Sequence, residues 1–302
     1  GMRLTSLTTD ADGVATPTQY CSRDGERSLL ENTIERAERL VPRERIVVIV
    51  AAEHERWWRP LLAHLAPENI IVQPRNRGTA AGVLLPLLSI YARDPDARVL
   101  VLPSDHHFGD EAVLARTLKR GFVGLEEGRP VLLVGMTPAG PETAYGWIVP
   151  AQGVQGLAAG VARFVEKPTL ERARSLFAEG ALWNTFVFFA RARGLVGLYA
   201  RRAPYLLDAM RRALAAGADG VAELYERLDV SDFSRDLLQG AEQRLSVLAA
   251  PPCEWTDLGT PARVVACLRA SEQDAISRAS TTRVFDLSRA LQRTSAPLAL
   301  AY

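Results

Sequence analysis

Between residues 46 and 135 the chain alternates short apolar runs with longer helix-patterned stretches, and this alternation limits what it can fold into. The runs fall at 46–50, 70–72, 99–102 and 131–135, and helix-like segments fill 56–65, 80–92 and 111–126. Short β-branched and leucine runs read as strands buried on both faces. At this spacing they give βαβ units, and hence a largely parallel sheet flanked by helices.

The third run carries chemistry at its end. It reads Val99-Leu-Val-Leu-Pro103-Ser-Asp-His-His-Phe108. Proline has no N–H for a ladder, so the strand stops at Pro103. Ser104 and Asp105 then lie at the C-terminal end of the strand, where open α/β sheets bind ligands. A carboxylate with polar neighbours there is well placed to hold a metal ion. Asp105 is therefore the expected metal ligand of a phosphoryl-transfer site; its bland alternative is a turn on the surface.

With 302 residues, 48% of them hydrophobic, the chain can bury a large core, in two domains or in one α/β domain with an appendage. A formal charge of +1 argues against a dedicated nucleic-acid binder. Cys21, Cys253 and Cys267 form no C-x-x-C pair and read as ordinary thiols of a reducing compartment. No run reads as membrane-spanning and none as a secretory leader, so a cytoplasmic location is expected. Gly1 before Met2 reads as a tag scar. Lysine occurs only at positions 119 and 167, with arginine supplying all other fixed positive charge. A lysine kept against that bias marks a place needing a compact ammonium. Lys119 has an ordinary reading at a helix end; Lys167 does not.

Residues 1–27 read as a long polar loop. Ser28 and Glu31 form a capping box for a helix over 29–40, and Thr79 caps the helix over 80–92. After Pro138, glycines punctuate short strands at 147–149 and 161–165, read as antiparallel. A helix at 170–178, a strand at 183–190, helical sequence over 192–240, a strand at 245–249 and a helix from 261 complete the pattern.

Four more stretches are chemically unusual. In Arg163-Phe-Val-Glu-Lys-Pro168, an acid beside a lysine at a strand end suits a sugar hydroxyl and a phosphate. In Leu182-Trp-Asn-Thr-Phe-Val-Phe-Phe189, one amide, Asn184, interrupts a core-like strand. Asp257 in Glu254-Trp-Thr-Asp-Leu-Gly259 is a candidate second metal ligand. Pro74-Arg-Asn-Arg-Gly-Thr79 precedes a helix, whose free N–H groups bind anions or base edges.

Together with Gly1-Met-Arg-Leu4, Pro17-Thr-Gln-Tyr-Cys21, Ser28-Leu-Leu-Glu-Asn-Thr33 and Tyr145-Gly-Trp-Ile148, these stretches resemble, in order, the sugar-nucleotidyltransferase family, most of all its mannose-1-phosphate guanylyltransferase members. The resemblance implies a Rossmann-like nucleotidyltransferase fold over residues 1–265, with a mixed, mainly parallel sheet. The tail, 266–302, shows no β-helix repeat. It implies nucleotidyl transfer from a nucleoside triphosphate, GTP by resemblance, to a hexose-1-phosphate such as mannose-1-phosphate. Asp105 and Asp257 would hold Mg²⁺. Lys167 would grip the sugar phosphate and Arg3 the leaving pyrophosphate. Glu166 and Asn184 would bind sugar hydroxyls, and Gly146 would let the backbone approach the sugar. Asn76, Gly78, Thr79 and Ser104 would face the nucleotide. No nucleic acid or membrane partner is implied, and a homodimer is left open.

Two features depart from the family. Its members open with an apolar strand and a Gly-rich loop ending in a stretch like Gly1-Met-Arg-Leu4, and here the strand and most of the loop are missing. Thr18 stands where the family has lysine. The central sheet is therefore expected to show a gap, a rearranged N-terminal segment or a neighbouring chain in the vacant place. The same departures keep open a second reading, a non-catalytic nucleotide-sugar-binding or regulatory homologue.

Overall fold

Helix α1 (Leu29–Glu38) starts where its capping signal puts it. The Ser28 N–H donates to Glu31 Oε2 at 2.8 Å, and the Glu31 N–H donates to Ser28 Oγ at 3.2 Å. This computed structural model describes residues 15–22, 27–125, 128–151, 157–260 and 263–264. Arg3 and the tail 266–302 lie outside the described residues.

The order continues β1 (Val48–Ala51), α2 (Glu55–Leu61), β2 (Ile70–Gln73), α3 (Gly78–Arg93), β3 (Arg98–Val101), α4 (Glu111–Gly124) and β4 (Val131–Met136). The hairpin β5 (Gly146–Pro150) and β6 (Ala159–Glu166) follows, then α5 (Leu170–Ala178) and the long strand β7 (Leu182–Arg191). Three helices, α6 (Ala192–Arg202), α7 (Pro204–Ala215) and α8 (Gly217–Arg227), lead through a π turn at Phe233–Leu238 to β8 (Leu245–Ala250).

Strand β4 is buried at every position, and its alternation separates two layers. Val131 and Leu133 pack with residues of α3, α6 and α7, including Leu84, Leu195 and Met210. Leu132, Val134 and Met136 pack on the other face with Leu114 and Leu118 of α4. A third cluster, with Ile34, Val48, Trp58 and Leu62, surrounds β1.

The expected mainly parallel sheet is not what forms. The larger sheet has the order β3-β7-β4-β8-β6-β5, and β7 also pairs with β5. In it only β4–β8 is parallel; the other pairings are antiparallel. The βαβ reading is right about direction: β3 and β4 both run antiparallel to β7 and hence parallel to one another. What local spacing could not show is that β7, far along the chain, inserts between them.

Strands β1 and β2 pair in parallel as a separate two-stranded sheet. Among the described residues no strand lies between β1 and β3. That interval opens into a cavity of about 1350 Å³, lined by Val48 and Ile49 on one side, by Val99 and Leu100 on the other, and by Ile34 of α1 and Val83 of α3. Residues 1–14, on which the expectation of a gap, a rearranged N-terminal segment or a neighbouring chain rests, lie outside the described residues.

Helix α3 begins at Gly78, one residue before the expected cap. Gly78 has φ +84°, and a Cβ added to it would fall 2.1 Å from the Ser231 carbonyl oxygen. Gly78→Ala combines strained backbone with a clash against backbone, so a loss on the order of 3 kcal/mol is expected, read as a lower urea midpoint. An unchanged midpoint would show that the 228–232 segment yields freely.

Candidate active site

The larger cavity extends from the β1–β3 interval to the C-terminal ends of β3 and β6. Every described site residue expected from the sequence lines it: Asn76, Gly78, Thr79, Ser104, Asp105, Gly146, Glu166, Lys167, Asn184 and Asp257. These come from loops, strand ends, the first turn of α3 and one bulge, widely separated in sequence.

Asp105 and Asp257 are brought together by backbone pairing. The His107 N–H donates to the Thr256 carbonyl at 2.9 Å and the Thr256 N–H to the His107 carbonyl at 3.0 Å, an isolated antiparallel bridge two residues beyond Asp105 and one before Asp257. Between them Trp255 Nε1–H donates to His106 Nδ1 at 3.2 Å. Burial holds the His106 imidazole below its ordinary pKa, so it stays neutral and free to accept that bond. Asp105 is 41% exposed at the cavity. Among the described residues no group of three or more His, Cys, Asp or Glu converges on a metal-sized site. Two carboxylates on an open cleft do not fit a closed structural zinc site. They fit Mg²⁺, which takes one or two carboxylates and completes its shell with water and phosphate oxygens.

The second group sits at the end of β6. Lys167 Nζ lies 3.0 Å from Glu166 Oε1 and 3.8 Å from Asp232 Oδ2. Lys167 itself has φ +45°, and its N–H donates to the Tyr145 carbonyl at 3.2 Å, which turns the chain sharply at the cleft. Glu166 is 6% exposed, and its Oε2 is buried with no hydrogen-bond partner. Burial pushes this carboxyl above its usual range, against the pull of Lys167. A folded-state pKa above the unfolded one means that the folded chain binds the proton more tightly. Stability therefore falls as pH rises from the ordinary carboxylate range through the folded pKa. Glu166→Gln is expected to raise Tm by a few degrees at pH 7 and to flatten the pH dependence of Tm, the familiar trade of stability for function. A lower Tm at pH 7 would show the ionised carboxylate to be stabilising.

Gly146 lines the cavity and also faces a side chain of its own fold. It pairs with Glu166 across β5–β6, and a Cβ there would fall 2.5 Å from Glu166 Oε2. The glycine makes room for this carboxylate. Asn184 is also partly committed. Its Oδ1 accepts the Phe186 N–H at 3.2 Å at a bulge where Phe186 has φ +58°, and its Nδ2 lies 3.5 Å from Ser234 Oγ.

At the start of α3, Asn76 Oδ1 accepts the Gly78 N–H at 3.0 Å, and Thr79 Oγ1 accepts the Phe233 N–H at 2.8 Å. Thr79 thus fastens the 231–233 segment instead of capping its own helix. Thr18 is buried, whereas Gln19 and Tyr20 line a smaller pocket shared with Asn76 and Ser104.

The sequence reading missed Asp232, Tyr145 and Arg263. Asp232 falls in a region whose sequence is mostly helical, and only folding sets it beside Lys167. Tyr145 lay within a quoted motif without a role; its hydroxyl donates to Asp257 at 2.9 Å.

In this doubly layered α/β fold a lysine–carboxylate pair, a buried amide and two aspartates thus surround one cleft. The chain belongs to the nucleotidyl transferase family, whose sequence model matches residues 1–274. It is 31% identical over 280 residues to the xanthan biosynthesis protein XanB of Xanthomonas campestris pv. campestris (strain B100), covering 90% of this chain and 58% of that protein. It is also 31% identical to a mannose-1-phosphate guanylyltransferase of Escherichia coli, covering 81% of this chain and 54% of the relative. A solved structure described as a mannose-1-phosphate geranyltransferase from Thermus thermophilus superposes with TM-score 0.69 at 31% identity, over 77% of this chain and 67% of that one. The chain thus spans little more than half the length of these curated relatives. Among the described residues no helix is long and apolar enough to cross a membrane.

Proposed function

We propose that this protein transfers a nucleotidyl group from a nucleoside triphosphate, GTP in the first instance, to a hexose-1-phosphate, mannose-1-phosphate in the first instance. A phosphate oxygen of the sugar forms a bond to the α-phosphorus, the bond from that phosphorus to the β-phosphate bridging oxygen breaks, and pyrophosphate leaves. The observation that carries the reading is the convergence of every described candidate residue on one cavity. The names of the relatives support guanine and mannose.

The nucleophile is already an anion near neutral pH, so the site needs position and charge, not a general base. Lys167 would hold the sugar phosphate as a point charge. Ionised Glu166 would accept a hydrogen bond from a sugar hydroxyl, and Asn184 would use its remaining amide N–H. Asp105 and Asp257 would hold Mg²⁺, which supplies charge neutralisation on the phosphates.

A non-catalytic sugar-nucleotide-binding role is the second reading, favoured by Thr18 where the family resemblance has lysine. Pyrophosphate release from a panel of nucleoside triphosphates and hexose-1-phosphates separates the two. Turnover fastest with GTP and mannose-1-phosphate supports the first in full. Binding without turnover supports the second.

A further inference from the structure

The carboxylate of Asp257 is held unevenly. Its Oδ1 accepts hydrogen bonds from the Tyr145 hydroxyl at 2.9 Å, Arg263 Nη1 at 2.6 Å and the Gly259 N–H at 3.2 Å. Among the described residues no hydrogen bond reaches Oδ2. A guanidinium that served only to neutralise this carboxylate would engage both oxygens in a fork. Arg263 instead splits its fork, with Nη1 on Asp257 and Nη2 on Glu142 Oε2 at 2.6 Å.

Both donors are themselves fixed. The Arg263 Cζ lies 4.4 Å from the centre of the Tyr145 ring. That ring packs against Trp183 and Trp255 with centroids 5.1 and 4.9 Å away. Glu142 is anchored in turn by the Ala144 N–H at 2.9 Å. The network ties the segment before β5 to the segment after Trp255, so that Asp257 cannot swing without breaking several contacts.

We propose that Tyr145 and Arg263 are positioning residues of the divalent-cation site, clamping one oxygen of Asp257 so that the other serves the cation. The inference rests on the reading of Asp257 as a cation ligand. Groups hydrogen-bonded behind a metal ligand typically matter 10–100-fold in metal affinity. Arg263 gives the test a sign. As a mere neighbouring charge it repels the cation, and its removal tightens binding. As a clamp, its removal weakens binding.

The probe is Mn²⁺ alone, titrated into the full chain and followed by the paramagnetic resonance of the free ion. Wild-type uptake that Asp257→Asn abolishes is the expected baseline. A wild type that takes up no Mn²⁺, or an Asp257→Asn variant that takes up as much, overturns the cation reading itself. Given the baseline, Tyr145→Phe and Arg263→Gln are each expected to weaken Mn²⁺ binding about ten-fold. Arg263→Lys is expected to recover part of that loss, because it restores one donor. A variant that binds Mn²⁺ as tightly as wild type, or more tightly, removes its residue from the clamp while the cation reading stands. If Arg263→Gln does not fold, Tyr145→Phe still decides the matter, since it removes a single oxygen and keeps the ring.

Discussion

Replacing Asp105 with asparagine is expected to slow pyrophosphate release about 10²–10³-fold at saturating GTP and mannose-1-phosphate, the usual effect of losing one preorganised charge contact to a transition state. The same change should leave Tm within about a degree, because an exposed side chain away from packing features rarely matters beyond ~0.5 kcal/mol. The Asp105 carboxylate is 41% exposed and borders the cavity. Asp257→Asn should differ in kind. It is expected to lose activity to a similar degree, and also about 1–3 kcal/mol of stability, because Tyr145 and Arg263 would lose an ionised acceptor. The pair is therefore separable by measuring kcat and Tm together. Equal stability losses in both would mean that Asp105 is structural. Retained turnover in Asp105→Asn would remove it from the site.

Fold and site were not equally legible beforehand. Where the determinants are local, sequence and structure agree: Ser28 and Glu31 close the capping box, and β4 falls on its apolar run, whereas Thr79 bonds a distant segment and does not cap its own helix. Sheet direction was not local. The antiparallel insertion of β7 between β3 and β4 depends on packing β7 against strands dozens of residues away, and no spacing rule encodes it. At the site, motif residues such as Asp105, Glu166 and Lys167 stand out by residue type at a strand end, and all three line the cavity. Arg263 and Asp232 carry no such signature: one arginine among many, and one aspartate in helix-like sequence. Each becomes informative only through its partners, Asp257 and Glu142 for the first, Lys167 for the second. At Gly146 the need for glycine is legible, and the structure adds one physical cause for it, the Glu166 carboxylate across the hairpin.

Lys167→Met is expected to lower kcat/KM for the sugar-1-phosphate about 100-fold. A charge-assisted hydrogen bond contributes about 1.5–3 kcal/mol, and about 1.4 kcal/mol is tenfold. Stability at pH 7 is expected to fall as well, since Glu166 is 6% exposed and would lose its cationic partner. Lys167→Arg should recover only part of the rate. A planar fork does not reproduce a compact charge 3.0 Å from Glu166 Oε1, on a backbone turned to φ +45°. A second readout distinguishes loss of the phosphate contact from general damage. Burial already raises the Glu166 carboxyl, Lys167 opposes that rise, and Asp232 adds to it. With Lys167 gone the Glu166 pKa moves further up. In the proposed reaction ionised Glu166 would accept a sugar hydroxyl, so activity is expected to fall as pH drops through that pKa. In Lys167→Met the acid limb of the rate profile is therefore expected at higher pH than in wild type, and in Glu166→Gln it should disappear. An acid limb that stays in place in Lys167→Met would mean that Lys167 acts on the sugar phosphate without setting the charge of Glu166.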